Sequence, residues 1–481
     1  MYFPGAYNER PPLPLPYEQG ALIGQTEDRG GGNAAALAAG IWGPTLLLAG
    51  GAFATGYYPV GLAVAAVAMV VHSVIDPRVA VIALIAIIPC DWMVSVIPQV
   101  TTLSKMLGVW ALFVSLPRLL PKVAPNSWDP SAKWIIGMLS WAAIGLFWAR
   151  YPQAVVGGGQ SLILTWGLPV LICVQFKDRA SIQTALILFV IACTISSGAY
   201  ILVGNVHAAA ESTTRLETQN LLGAEQEHGL NPNSIARNFG LAFLAAVYLI
   251  ITLKGVARRA LLVAGLMVIA LAIVVLKGRA VYLALPAALV ASVVLLKGGG
   301  VAKRIVLALV IVLIGGAVGF VMMKAGFLGK GIEERFNSIF EEGFHAGNRL
   351  DFWQAQLRVF LKTGLIGVGL SQTQYRSDTF FHVAHNDWIS ILTELGIVGF
   401  ICLLSFHVVL ARRMWRLHDV WARMFCMAVW IFIMIGAMTE DDYKNKHYTL
   451  AVGFILALVQ FGESRVSLQA QHRQFGEPGY S

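Results

Sequence analysis

Apolar runs of bilayer-crossing length recur along almost the whole chain, and nothing else in the sequence restricts its fold as strongly. Ile305 to Met323 and Ala260 to Leu276 are two of them. Such a run with few charges reads as a transmembrane helix, because backbone N–H and C=O groups in hydrocarbon have no water to bond and must be satisfied within the segment. Composition agrees: 57% of the residues are hydrophobic and 13% charged, too little polar surface for a water-soluble globule. The reading is all-α: a polytopic transmembrane helix bundle of about 12 to 14 spans, with one large helical loop on its outer side.

Along the chain this divides into a tail at 1–33, a bundle at 34–323, a large loop at 324–387, C-terminal spans at 388–463 and a tail at 464–481. The first tail carries Pro11-Pro12-Leu13-Pro14 and Gly30-Gly31-Gly32 without the basic start and apolar core of a signal peptide, so a disordered cytoplasmic segment is expected. The net charge of +9 does not form a stripe with interleaved aromatics, which argues against a nucleic-acid partner. Instead, Arg118, Lys133, Lys177, Arg179, Lys254, Arg258, Arg259, Arg412, Arg413 and Arg416 fall in connections of one parity. Excess Lys and Arg mark cytoplasmic connections, so both termini are expected inside and the segments 204–234 and 324–387 outside. All five cysteines lie within apolar spans and read as small core residues. No pair of Gly/Pro-broken spans of the kind transporters use is evident.

The outer loop contains the chemistry. Gly347-Asn348-Arg349-Leu350-Asp351-Phe352-Trp353 opens an amphipathic helix running through Leu361, Gly367-Val368-Gly369 follows, and His385-Asn386-Asp387 leads into the next span at the membrane boundary. The order of these pieces, with Glu394-Leu395-Gly396 and Gly399 beyond them, resembles the C-terminal signature of the O-antigen ligase and Wzy-type O-antigen polymerase superfamily. Upstream, Asn231-Pro232-Asn233-Ser234 is similar to that family's Asp/Asn-Pro-Asn element and Lys277-Gly278-Arg279 to its Ser-Arg element, with Gly278 and Asn231 standing where Ser and Asp are common.

The resemblance implies transfer of a glycan from undecaprenyl diphosphate to an acceptor hydroxyl at the periplasmic face of a bacterial inner membrane, inverting and without metal or other cofactor. The implied partners are the lipid-linked donor, a glycan or lipid A core acceptor, and the bilayer. The catalytic positions it implies are Arg279, Arg349 and His385. The chemistry asks for such groups: a diphosphate leaving group gathers negative charge that a guanidinium fork can hold, and a neutral imidazole can take the acceptor's proton near neutral pH. Asn386, Asn233, Arg215 and Trp353 are candidate substrate contacts.

Each residue also has a plainer explanation. Arg279 suits an interfacial arginine reaching headgroups, Arg349 a surface pair with Asp351, and His385 a residue beside a helix cap formed by Asn386 or Asp387. Glu394 fits either a supporting partner of the site or a buried helix contact. Thr439 to Lys444 reads as a solvated turn more readily than as a place for an acceptor sugar. His345, Asp378, His382, His385 and Asp387 are too loosely spaced to be expected to bind metal. A glycan polymerase and a protein glycosyltransferase would share the chemistry, and a lipid-glycan flippase is the rival of another class.

Overall fold

The computed structural model describes residues 58–91, 95–97, 101–119, 129–208, 232–276, 279–294, 349–376, 384–440 and 443–474; within these, the side chains of 58–63, 95–102, 203–208, 232, 279, 349 and 467–474 are not described. The expected spans Ala34 to Ala54 and Ile305 to Met323, both chain ends, Arg215, and the segment with His345, Asp378 and His382 lie outside the described residues. The chain divides into two units, 1–79 and 80–481.

The first unit holds α1 (Tyr58–Ile75) and the first residues of α2 (Arg78–Ile87). Between them Asp76 accepts from the backbone N–H of Arg78 at 3.1 Å and from its Nε, which starts the second helix.

The second unit continues with a two-stranded antiparallel pair, β1 (Ser95–Ile97) and β2 (Thr101–Thr102), and then α3 (Leu103–Leu119), α4 (Ala132–Ile144), α5 (Pro152–Gln175), α6 (Arg179–Ala208), α7 (Pro232–Thr252), α8 (Val256–Leu276) and α9 (Arg279–Val294). It ends with α10 (Arg349–Lys362), α11 (Asp387–Arg416), α12 (Val420–Ala437) and α13 (Lys446–Gln474). The fold is thus the expected all-helical bundle. Among the described residues seven helices are long and apolar enough to cross a membrane, α5 to α8 and α11 to α13. Their outward faces carry bare apolar side chains, such as Leu261 at 74% and Met267 at 66% exposure, which suits a hydrocarbon solvent. Helix α13 runs past residue 464, where a tail was expected.

Polar groups at the helix ends collect in two layers. One layer is held by Arg413, which reaches Asp129 at 2.5 Å and Glu463 at 2.6 Å, and by Arg179 on Asp419 at 3.2 Å. The other layer contains Asp91, Asn233, His385, Glu394, Glu440, Lys444 and Lys446.

Two findings depart from the sequence reading. Helix α11 is broken inside: Gly396 sits at φ 67°, ψ −165°, a region open essentially to glycine alone. The carbonyls this break releases find partners elsewhere. Thr393 O and Glu394 O accept from Val368 N and Gly369 N at 2.9 Å, Leu395 O accepts from the Trp141 indole at 2.7 Å, and Ile397 N donates to Leu365 O at 2.9 Å. Broken backbone at membrane depth is tolerable only with such replacement. The stretch Leu365 to Gly369, within the expected loop 324–387, is therefore bonded directly to α11. Gln372 extends the join, exchanging hydrogen bonds with the Tyr151 backbone at 2.9 and 2.8 Å.

Candidate functional site

The site forms where α11 begins. Asn386 is the helix N-cap, its Oδ1 accepting from Trp388 N at 3.1 Å and Ile389 N at 3.3 Å. This satisfies orphan donors of the first turn and releases the residue before it from helical geometry. That residue, His385, adopts φ 50°, in the left-handed region where histidine is tolerated better than most side chains. From there its Nδ1 lies 3.2 Å from Oε2 of Glu440. The imidazole stays 41% exposed while the Glu440 side chain is only 11% exposed, so one face of the ring is anchored and another is open.

Several contacts fix this pair. Trp353 on α10 donates its indole N–H to Ala384 O at 2.7 Å, holding the chain just ahead of His385. Asn233 at the start of α7 donates to Oε1 of Glu440 at 2.8 Å. The buried Arg237, one turn along, donates to Thr439 Oγ1 at 2.8 Å and to Gly436 O at 3.3 Å. The segment carrying Glu440 is also stapled to α11: Asn386 Nδ2 donates to Met438 O at 3.4 Å and both oxygens of buried Asp387 accept from Tyr443 N at 3.1 Å. Further along, Glu394 accepts from Lys444 Nζ at 2.7 Å and from Tyr443 OH and Thr373 Oγ1, each at 3.1 Å.

Of Thr439 to Lys444, expected as a solvated turn, the described residues Thr439, Glu440, Tyr443 and Lys444 are engaged by the bundle. Glu440 is 8% and Tyr443 0% exposed, because the Asp387 and Glu394 carboxylates on α11 need the donors this segment supplies. The capping alternative for His385 resolves to Asn386 as the cap. Trp353, expected as a substrate contact, has its indole N–H committed to Ala384; it positions His385. Asn233 and Asn386 likewise act on neighbours, Asn233 through Glu440. Arg279 and Arg349 are the first residues of α9 and α10, with side chains outside the described residues. Glu440 is the residue the sequence reading missed. An acidic run after a span was visible there, but nothing local joins it to a histidine 55 positions away.

The electrostatics of the pair are directional. Burial pushes the Glu440 carboxyl up, but the hydrogen bond and charge of His385, the Arg237 charge and the Asn233 bond outweigh it and lower it from 4.5 to about 2. Glu440 is then an ionised acceptor, so the hydrogen between the two sits on Nδ1, and in the neutral imidazole the Nε2 lone pair is left for chemistry. The depressed value fixes the sign of a pH effect: the stabilisation, about 3 kcal/mol, is complete above pH 4.5 and is lost as pH falls towards about 2. Thermal unfolding between pH 6 and 3 should show the wild type losing more stability than Glu440→Gln, whose amide does not titrate. Parallel pH dependence in the two proteins would count against the pair.

Residues 264–404 match the O-antigen ligase family. The match includes Arg279, Arg349, His385 and the broken turn at Gly396, and it ends before Glu440. No curated protein matches the chain.

Proposed function

From the match of residues 264–404 to the O-antigen ligase family, we propose that the chain moves a glycan from undecaprenyl diphosphate to an acceptor hydroxyl at the periplasmic face of a bacterial inner membrane. The observation that carries the reading is the His385–Glu440 pair: a half-exposed imidazole, held by a buried carboxylate, at the end of a membrane helix.

In the proposed step the acceptor oxygen attacks the anomeric carbon and its proton passes to Nε2 of His385. The anomeric carbon–oxygen bond breaks with its electron pair going to the diphosphate, so a single displacement inverts the configuration. Glu440 stabilises the imidazolium as it forms, as a carboxylate behind a catalytic histidine does. Arg349 and Arg279 hold the diphosphate charge, with Arg215 as a supporting contact. Helix α10 and the segment behind it limit water, which would otherwise hydrolyse the donor. The basic layer around Arg413 and Arg179 supports a cytoplasmic position for the opposite side and for both termini.

A deletion strain tests this through its lipid-linked glycans. Loss of a ligase leaves finished polymer on the carrier, and that is the expected profile. Single repeats on the carrier would turn the reading to a polymerase with the same chemistry, and donor trapped on the cytoplasmic side would replace it with a flippase.

A further inference from the structure

Beside the His385–Glu440 pair, and distinct from it, a cavity of about 470 Å³ opens among α3, α5, α7 and the segment from Lys444 to His447. Its volume falls within the range of small-ligand pockets. We propose that this cavity is a saccharide subsite that seats one sugar of a reacting glycan while a neighbouring sugar reaches His385; the proposal rests on the transferase reading above.

The lining matches a sugar better than a phosphate or a lipid tail. One wall carries Asp91, which accepts from Ser104 Oγ at 2.5 Å and Lys446 Nζ at 2.6 Å. An anionic wall of this kind disfavours a diphosphate, and two of the three lysines that line the cavity are already engaged, Lys446 by Asp91 and Lys444 by Glu394, with Lys105 the third. A sugar hydroxyl, both donor and acceptor, can use a carboxylate, an ammonium and amides alike. The amides are there: Gln160, Asn238 and Asn445 all line the space. Asn238 Oδ1 is buried and accepts no hydrogen bond among the described residues, an acceptor that a ligand hydroxyl would satisfy. Deeper in, Leu164, Leu168 and Ile88 offer an apolar wall for the C–H face of a ring.

Placement ties the cavity to the reaction. Ser234 and Asn238 lie on the first turns of α7, whose Asn233 holds Glu440, and His447 lies on the segment that Glu440 begins. His447 is also within electrostatic reach of Glu440 and Arg237. The cavity wall and the support of the candidate base are thus built from the same pieces of chain.

Gly157 makes a clean test. It lines the cavity, and a Cβ placed on it meets nothing within 4 Å, so Gly157→Leu adds bulk at the cavity wall from a position with room for its Cβ. The full chain in detergent is titrated with a panel of free mono- and disaccharides by saturation-transfer NMR. Wild type should bind members of the panel, and Gly157→Leu and Asn238→Ala should weaken that binding by roughly tenfold or more, with thermal unfolding unchanged for the leucine variant. A wild type that binds none of them, or variants that bind as well as wild type, overturns the subsite. Binding is read without turnover, so a chain that binds sugars yet never transfers glycan keeps the subsite and loses the transferase reading. In a transfer assay, a raised KM for the acceptor alone assigns the cavity to the acceptor glycan, and a raised KM for the donor alone assigns it to the donor.

Discussion

Replacing His385 with alanine lowers glycan transfer by about three orders of magnitude, the size expected when a positioned general base is removed. The fold should survive, because His385 is 41% exposed and the work of starting α11 is done by its neighbours. Asn386 still caps the helix, Asp387 still takes the Tyr443 N–H, and Trp353 still holds Ala384. The variant keeps a non-glycine residue at φ 50°, a region that alanine tolerates no better than histidine. What disappears is the proton acceptor, and Glu440 cannot replace it: its carboxylate is buried and held in place by Asn233. Glu440→Gln should give an intermediate loss, because the imidazole remains but the amide no longer offsets its developing charge. The measurement is the initial rate of transfer by the purified full chain with a lipid-linked donor, beside its unfolding temperature. A His385→Ala protein that folds and retains a tenth of wild-type rate or more would remove the histidine from the mechanism.

How far the sequence led to this site depends on the range of the interaction concerned. Spans were legible because hydrocarbon imposes a length and an apolar composition on each helix separately. His385 was legible through its short motif at the head of a span, and the amphipathic helix beginning near Arg349 through its periodicity. Glu440 was not, because its meaning comes from a contact with His385 across 55 positions and from the donors of a third segment at Asn233. Trp353 could be seen as an aromatic in an outer helix, but not that its one donor would be spent on Ala384 O. Gly396 illustrates the limit most plainly. Glycine inside an apolar run is common in membrane helices, so the letter alone does not announce a left-handed break.

That break carries the second large effect. Gly396→Ala should cost about 4 kcal/mol of stability, from two causes that add. Alanine at φ 67°, ψ −165° is strained by about 1 to 3 kcal/mol. Its Cβ would also overlap the carbonyl of Leu365 and the backbone of Ile366, and backbone, unlike a long side chain, cannot swing aside. Moving Leu365 and Ile366 away undoes the bonds from Val368 and Gly369 to Thr393 and Glu394 and leaves buried carbonyls without partners. Glu394 then loses its fixed place under Tyr443 and Lys444, and the segment that presents Glu440 to His385 loses its footing. Transfer should therefore fail along with stability. Gly255 separates the two causes, since its φ is 104° but a Cβ there meets nothing within 4 Å. Gly255→Ala should show the strain alone, with a modest fall in unfolding temperature and normal transfer. Equal losses in the two variants would mean that backbone strain accounts for everything and that the close packing of Leu365 and Ile366 on the broken helix does not support the site.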